Sequence, residues 1–195
     1  MKRRAFFLLP LLAALSQRLL AFLKSTPSDF EGPFYPVVSI PIKNNLVEFA
    51  GGVARGRQLV LIGRVTDSSG NSQSAALVEI WQCDSMGRYR HPGAGGAGNV
   101  DRHFAGFGAC RTGPGGEYRF TTLIPVPYAG RPPHIHVKIF QGRRELLTSQ
   151  LYLKEKTGDG GLSLNIVNQA ELVIDPKEVS ADHFQAEFDF VISST

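Results

Sequence analysis

Pro133–Phe140 reads PHIHVKIF, a clean alternation of polar and apolar side chains. A β-strand sends successive side chains to opposite faces. His134, His136, Lys138 and Phe140 therefore face one way, and Ile135, Val137 and Ile139 the other. Working outward, further strands are predicted over Gln58–Thr66 (QLVLIGRVT), Ala76–Cys83 (ALVEIWQC) and Glu117–Leu123 (EYRFTTL). Ser149–Leu153 (SQLYL) and Phe184–Ile192 (FQAEFDFVI) follow, the last with Phe184, Ala186, Phe188, Phe190 and Ile192 on one face. Turn-rich DSSGNSQS (Asp67–Ser74) separates the first two strands. Gly87–Gly108 is a long Gly-rich connection, of a length that is uncommon without a function. Ser25–Pro36 reads as an extended arm. Helical periodicity is scarce: only Ala170–Glu178 has room for a short helical turn, weakened by Pro176. Short strands with Gly/Pro turns predict an all-β fold, an antiparallel β-sandwich whose long loops form a site at one end.

The 195 residues are enough to bury a core without a disulfide framework. Hydrophobic residues make up 43% and charged residues 19%, which excludes disorder for the body of the chain. Of the net charge of +4, Lys2, Arg3 and Arg4 supply three. The basicity is thus terminal, and it gives no argument for a nucleic-acid partner. MKRRAFFLLPLLAALS, a positive start before an apolar stretch, fits an export signal over residues 1–24, with a retained anchor as the alternative. Arg3-Arg4 before Ala5-Phe6-Phe7-Leu8 resembles a twin-arginine signal. Residues 25–195 form the domain, located outside the cytoplasm, with membrane contact only through the N-terminus. In an oxidising compartment Cys83 and Cys110 could pair; in a reducing one they stay free.

His134 and His136, two apart on one strand, offer two imidazoles to one metal. The plain alternative is a histidine pair on a solvated sheet face. Tyr128 lies six residues before His134, across a Pro/Gly loop that carries Arg131, and Tyr89 ends the Trp81–Tyr89 segment. A lone tyrosine is usually a core or rim aromatic. Two phenolates meeting two imidazoles are a different case, because hard anionic oxygen suits a hard trivalent ion.

The segments GPFYP (Gly32–Pro36), LVEIWQCDSMGRY (Leu77–Tyr89), GEYRF (Gly116–Phe120), IPVPYAGRPPHIH (Ile124–His136) and TSQLY (Thr148–Tyr152) resemble the intradiol ring-cleavage dioxygenases. These include the protocatechuate and catechol dioxygenases, and the segments occur here in the family's order. The resemblance implies Fe(3+) held by Tyr89, Tyr128, His134 and His136. It implies that Arg131 stabilises charge on the substrate ring, that Gln150 positions the substrate, that Tyr128 also acts as a base, and that Trp81 walls the site. The implied partners are a small aromatic diol and O2, and the implied product is a cis,cis-muconate-type diacid. Oligomerisation stays open. The Tyr128–His134 interval is shorter than in the protocatechuate enzymes, which implies a more open pocket.

A cupin also uses His-x-His, but adds a Glu a few residues on; here the nearest is Glu145. A transthyretin-like carrier, binding without chemistry, is the rival from another class. His91 and His103 are expected to be exposed in the Gly-rich loop, with His91 able to line the pocket, and His183 to lie at the surface. Glu79 is expected to be solvated or ion-paired rather than to pair with Asp84.

Overall fold

A computed structural model of the chain describes residues 22–94, 99–154 and 170–193. Its strands are β1 (Glu48–Phe49), β2 (Gly52–Val53), β3 (Gln58–Asp67), β4 (Leu77–Trp81), β5 (Phe107–Arg111) and β6 (Glu117–Leu123). Then come β7 (His134–Gln141), β8 (Arg144–Leu153), β9 (Val173–Ile174), β10 (Lys177–Ser180), β11 (His183–Glu187) and β12 (Phe190–Ile192). One five-stranded sheet has the order β5-β4-β7-β8-β9. The other runs β10-β11-β3-β12, with β6 also paired to β3. The two pack as a sandwich around Leu59, Leu61, Phe120, Val78, Ile80, Ile135, Val137 and Ile139, all fully buried. No helix among the described residues is long and apolar enough to cross a membrane.

The sandwich is all-β but not wholly antiparallel. β11 and β12 both pair parallel to β3, and β9 pairs parallel to β8. The single strand expected over Phe184–Ile192 is split in two. Between its halves Phe188 N donates to Ile62 O at 2.9 Å and Arg64 N to Asp189 Oδ1 at 2.7 Å. Gly63 lets this break approach, since a Cβ there would lie 1.8 Å from Phe188 O. The expected apolar face survives the split, with Ala186, Phe190 and Ile192 buried. The helical turn around Ala170–Glu178 shrinks to a 3₁₀ turn at 170–172, followed by β9 and β10. The Gly-rich connection ends in β5, whose Cys110 pairs with Val78 of β4.

That pairing separates the two cysteines. Cys83 lies five residues beyond Val78, roughly 16 Å at about 3.3 Å per residue, whereas a disulfide needs Cα atoms within about 7 Å. Both thiols are free and buried. Cys83 Sγ donates to Val126 O at 3.7 Å, and burial pushes its pKa up to about 11. The export segment falls mostly on residues 1–21, outside the described residues.

The arm predicted before Pro36 is indeed without regular structure, but it is fixed. It crosses the outer face of β7 and β8 and buries His134, His136 and Lys138 there. Thr26 N donates to Val191 O at 2.8 Å, Asp29 N to Thr148 O at 3.0 Å, and Ser149 Oγ to Pro27 O at 2.8 Å. Lys138 pairs with Glu31 and, at 3.4 Å, with Glu145. Tyr35 Oη donates to Glu79 Oε2 at 2.8 Å. Glu79 is therefore not solvated. It is buried under Tyr35 and opposite Lys138 in the β4–β7 ladder, and burial raises its pKa against the pull of both partners.

Candidate active site

Strand period places His134 and His136 on the covered face of β7, each about 1% exposed. Their Nε2 atoms are 3.2 Å apart. His134 Nδ1 lies 2.7 Å from Pro132 O. A carbonyl only accepts, so Nδ1 carries the proton and Nε2 presents a bare lone pair. His136 is fixed by packing instead: Trp81 stacks on it at 4.8 Å and 7°, and Tyr35 meets Trp81 edge-on at 5.0 Å. Gly32, at φ +76°, approaches from the other side, where a Cβ would be 3.0 Å from His136 Cε1. His136 Nδ1 finds no hydrogen-bond partner among the described residues.

The two tyrosines arrive on loops with their own anchors. Asp84 is buried at the start of the loop to Tyr89. Its Oδ1 accepts from Met86 N at 2.9 Å and Arg88 N at 3.0 Å, and its Oδ2 accepts from Asp101 N at 2.8 Å. Asp84 is thus a loop organiser and forms no carboxylate pair with Glu79. Tyr128 and Arg131 flank a two-residue turn, with Arg131 N donating to Tyr128 O at 2.8 Å and Tyr128 N to Arg131 O at 3.2 Å. Ala129 and Gly130 both have positive φ, 46° and 75°, the pattern of a type I′ turn. The turn sends both flanking side chains into the same pocket.

Tyr128 Oη donates to Tyr89 Oη at 3.3 Å and lies 3.4 Å from His134 Nε2; Tyr89 Oη lies 3.3 Å from the same nitrogen. Three polar atoms thus form a nearly equilateral triangle. Its centre is about 1.9 Å from each corner, close to the ~2 Å bond that a metal makes to nitrogen or oxygen. His136 Nε2 stands beside this triangle.

The electrostatics agree with that geometry. Burial lowers the pKa of His134 to about 4 and that of His136 to about 2, the latter helped by His134 and then Arg131. Both imidazoles are neutral at pH 7. Burial, then the neighbouring Tyr128 phenol, raises the Tyr89 pKa far above that of a free phenol. Without a cation the Tyr89 phenol keeps its proton and the cluster is held by hydrogen bonds, with Tyr128 Oη donating to Tyr89 Oη. A bound cation reverses the logic, favouring phenolate and bare imidazole nitrogen. The donor set therefore fits a hard, highly charged metal ion. Among the described residues no three His, Cys, Asp or Glu form a metal cluster, so the phenols are essential to this arrangement.

Arg131 and Gln150 also meet. Gln150 lies opposite His136 in the β7–β8 ladder, and its Oε1 accepts from Arg131 Nη2 at 2.7 Å. Gln150 Nε2 donates to the carbonyl of Phe30, which fixes the amide's orientation. Tyr152, opposite His134, donates to Asp29 Oδ2 at 2.7 Å. Asp29, Phe30, Gly32, Tyr35 and Tyr152 were not legible as site residues. The signal for Tyr152 was its place two residues after Gln150, on the same face. Gly32 and Tyr35 lie in the GPFYP segment that carries the resemblance, without a role assigned to them, and Asp29 and Phe30 had only their proximity to it.

Other expectations need correction. His103 is half-buried: its Nδ1 lies 3.0 Å from Phe49 O, and its ring fills the space beside Gly52. His91 is also half-buried, with its ring 5.6 Å from that of Phe34 and its Nδ1 accepting from Gly93 N at 3.0 Å. His183 is exposed as expected.

A family model described as Dioxygenase matches residues 30–194. The protocatechuate 3,4-dioxygenase beta chain of Burkholderia cepacia is 35% identical over 60% of this chain and 54% of its own length. Catechol 1,2-dioxygenase 2 of Acinetobacter lwoffii is 32% identical over 65% of this chain and 41% of its own. The chain thus spans about half, or less, of these relatives. The dioxygenase domain of a dioxygenase carbohydrate-binding protein fusion from Streptomyces sp. SirexAA-E superposes with a TM-score of 0.71 at 27% identity. It covers 88% of this chain and all of that domain. On the matched span and the shared architecture, the chain belongs to the intradiol ring-cleavage dioxygenase family.

Proposed function

We propose that the chain is a non-haem Fe(III) dioxygenase. It would open a catechol-type ring between the two hydroxylated carbons with O2, giving a cis,cis-muconate-type diacid. The triangle of Tyr89 Oη, Tyr128 Oη and His134 Nε2, with edges of 3.3–3.4 Å, carries the reading. Tyr89, Tyr128, His134 and His136 would hold the iron. Ferric ion, when bound, draws electron density from a diolate and so prepares the ring for O2.

The remaining chemistry lies with the chain's own groups. Tyr128 is half-buried at the pocket edge, so of the two phenols it is the one free to swing. Its Oη, as phenolate, takes a proton from the substrate diol. Arg131, a permanent cation, faces the same pocket and stabilises negative charge on the ring. Gln150 holds that guanidinium in place, so no reorganisation is needed as charge develops. The stacked Trp81 and the arm exclude water from the imidazoles.

The test is O2 uptake by iron-loaded protein with catechol, together with identification of the product. A muconate-type diacid supports the reading. A semialdehyde would mean cleavage beside the diol, and a colourless protein without O2 uptake would favour the carrier. We further propose export of residues 25–195 behind the signal or anchor in residues 1–24, supported by the basic start and the apolar stretch that follows. Cell fractionation tests this, and recovery in the cytoplasm alone would contradict it.

A further inference from the structure

The cavity lined by Tyr89 and Tyr128 measures about 520 Å³, and Phe30, Pro33, Phe34, Ala129 and Arg131 also line it. Sites of about 300–1,000 Å³ take drug-sized ligands, so this one exceeds the needs of a one-ring diol. Phe30 is 67% exposed at its mouth. Such a ring adds little to the core. Its backbone is nonetheless held: Phe30 N donates to Asp29 Oδ1 at 2.6 Å, its carbonyl accepts from Gln150, and Asp29 is tied to Thr148 and Tyr152. An exposed aromatic on a fixed backbone is preorganised apolar surface, which lowers the ordering cost of binding.

The charges around the pocket narrow the ligand further. Among the described lining residues Arg131 is the one cation, and its Nη2 already donates to Gln150. Arg88 Nη1 is turned away to Asn99 O at 2.6 Å, and Arg90 to the carbonyls of Phe104 and Asp101. Lys138 is occupied by Glu31 and Glu145. A carboxylate on the substrate ring would have to share Arg131 with the charge that develops on the diol, and so lose hydration with only part of it compensated.

We propose that the pocket selects catechols bearing an uncharged, apolar ring substituent, with Phe30 as the specificity-determining side chain that packs on it. The proposal rests on the intradiol reading above. Its test uses the iron-loaded full chain with catechol, 4-phenylcatechol and protocatechuate. kcat/KM comes from O2 uptake, and Kd from the change in visible absorbance without O2.

The wild type is expected to prefer 4-phenylcatechol to protocatechuate by about tenfold or more in both quantities, the scale on which a hydrophobic contact discriminates. Phe30→Ala is expected to lower the ratio of 4-phenylcatechol to catechol about tenfold. Phe30→Leu, which keeps apolar contact and guards against misfolding of the alanine variant, should retain most of it. Phe30→Lys should raise the ratio of protocatechuate to catechol. Protocatechuate matching or beating 4-phenylcatechol, or ratios unmoved in folded Phe30 variants, would overturn the proposal and leave ring cleavage standing. No uptake and no absorbance change with any of the three compounds would overturn both.

Discussion

Strand β7 buries both its faces, and the two have little else in common. Ile135, Val137 and Ile139 are fully buried between the sheets. His134 and His136, one residue out of phase, are about as buried beneath the N-terminal arm. The first face contributes stability, about 1.5–3 kcal/mol for each aliphatic side chain removed from water. The second collects nitrogen and oxygen atoms at 3.2–3.4 Å, buried from water and in hydrogen-bond contact with one another and with the phenols. Burial alone does not mark a core; the chemistry of what is buried does.

The contrast can be broken at several points. The largest effect is expected from Tyr89→Phe, which keeps the ring and removes one donor atom. Ring-cleaving kcat/KM should fall by about a thousandfold or more, beyond the 10–100-fold typical of groups that only support a ligand. The melting temperature of the metal-free protein should barely move. A large stability loss with retained activity would mean the phenol belongs to the core after all.

On the opposite face, Ile135→Ala should cost about 2–5 kcal/mol in denaturant unfolding. The folded fraction should still bind iron with unchanged stoichiometry. Loss of iron binding by well-folded Ile135→Ala protein would show that the faces are not separable.

A smaller and graded effect is expected from pH on the metal-free chain. Both histidines have folded pKa values lowered from 6.5, to about 4 and about 2, by burial first. Below pH 6.5 the unfolded imidazoles take up protons that the folded ones refuse. Stability is therefore fully present above about pH 6.5 and drains as pH falls toward 4. The slope is about 1.4 kcal/mol per pH unit for each histidine in that window. Unfolding midpoints measured from pH 7 to pH 4.5 check it, and a flat profile would mean the imidazoles are hydrated.

The sequence made the alternation of β7 legible, because period two is a local property. It did not show that the polar face is covered, since that depends on Pro27, Asp29 and Phe30 meeting β8 more than a hundred residues later. Tyr89 and Tyr128 came from family resemblance alone; their spacing says nothing about convergence. β5 starts at the very end of the Gly-rich connection, which masks it, and the parallel pairing of β11 and β12 has no local signal. The separation of Cys83 from Cys110 follows from strand register, which the sequence does not print.

On the proposed function, Tyr89, Tyr128, His134 and His136, drawn from distant parts of the chain, would hold one ferric ion. The most direct measurement is an anaerobic titration of metal-free protein with Fe(III), followed by visible absorbance. A red to burgundy phenolate charge-transfer band is expected, saturating at one iron per chain and weakening in Tyr89→Phe and Tyr128→Phe. A titration that leaves the protein colourless, or a band indifferent to both phenols, would contradict it.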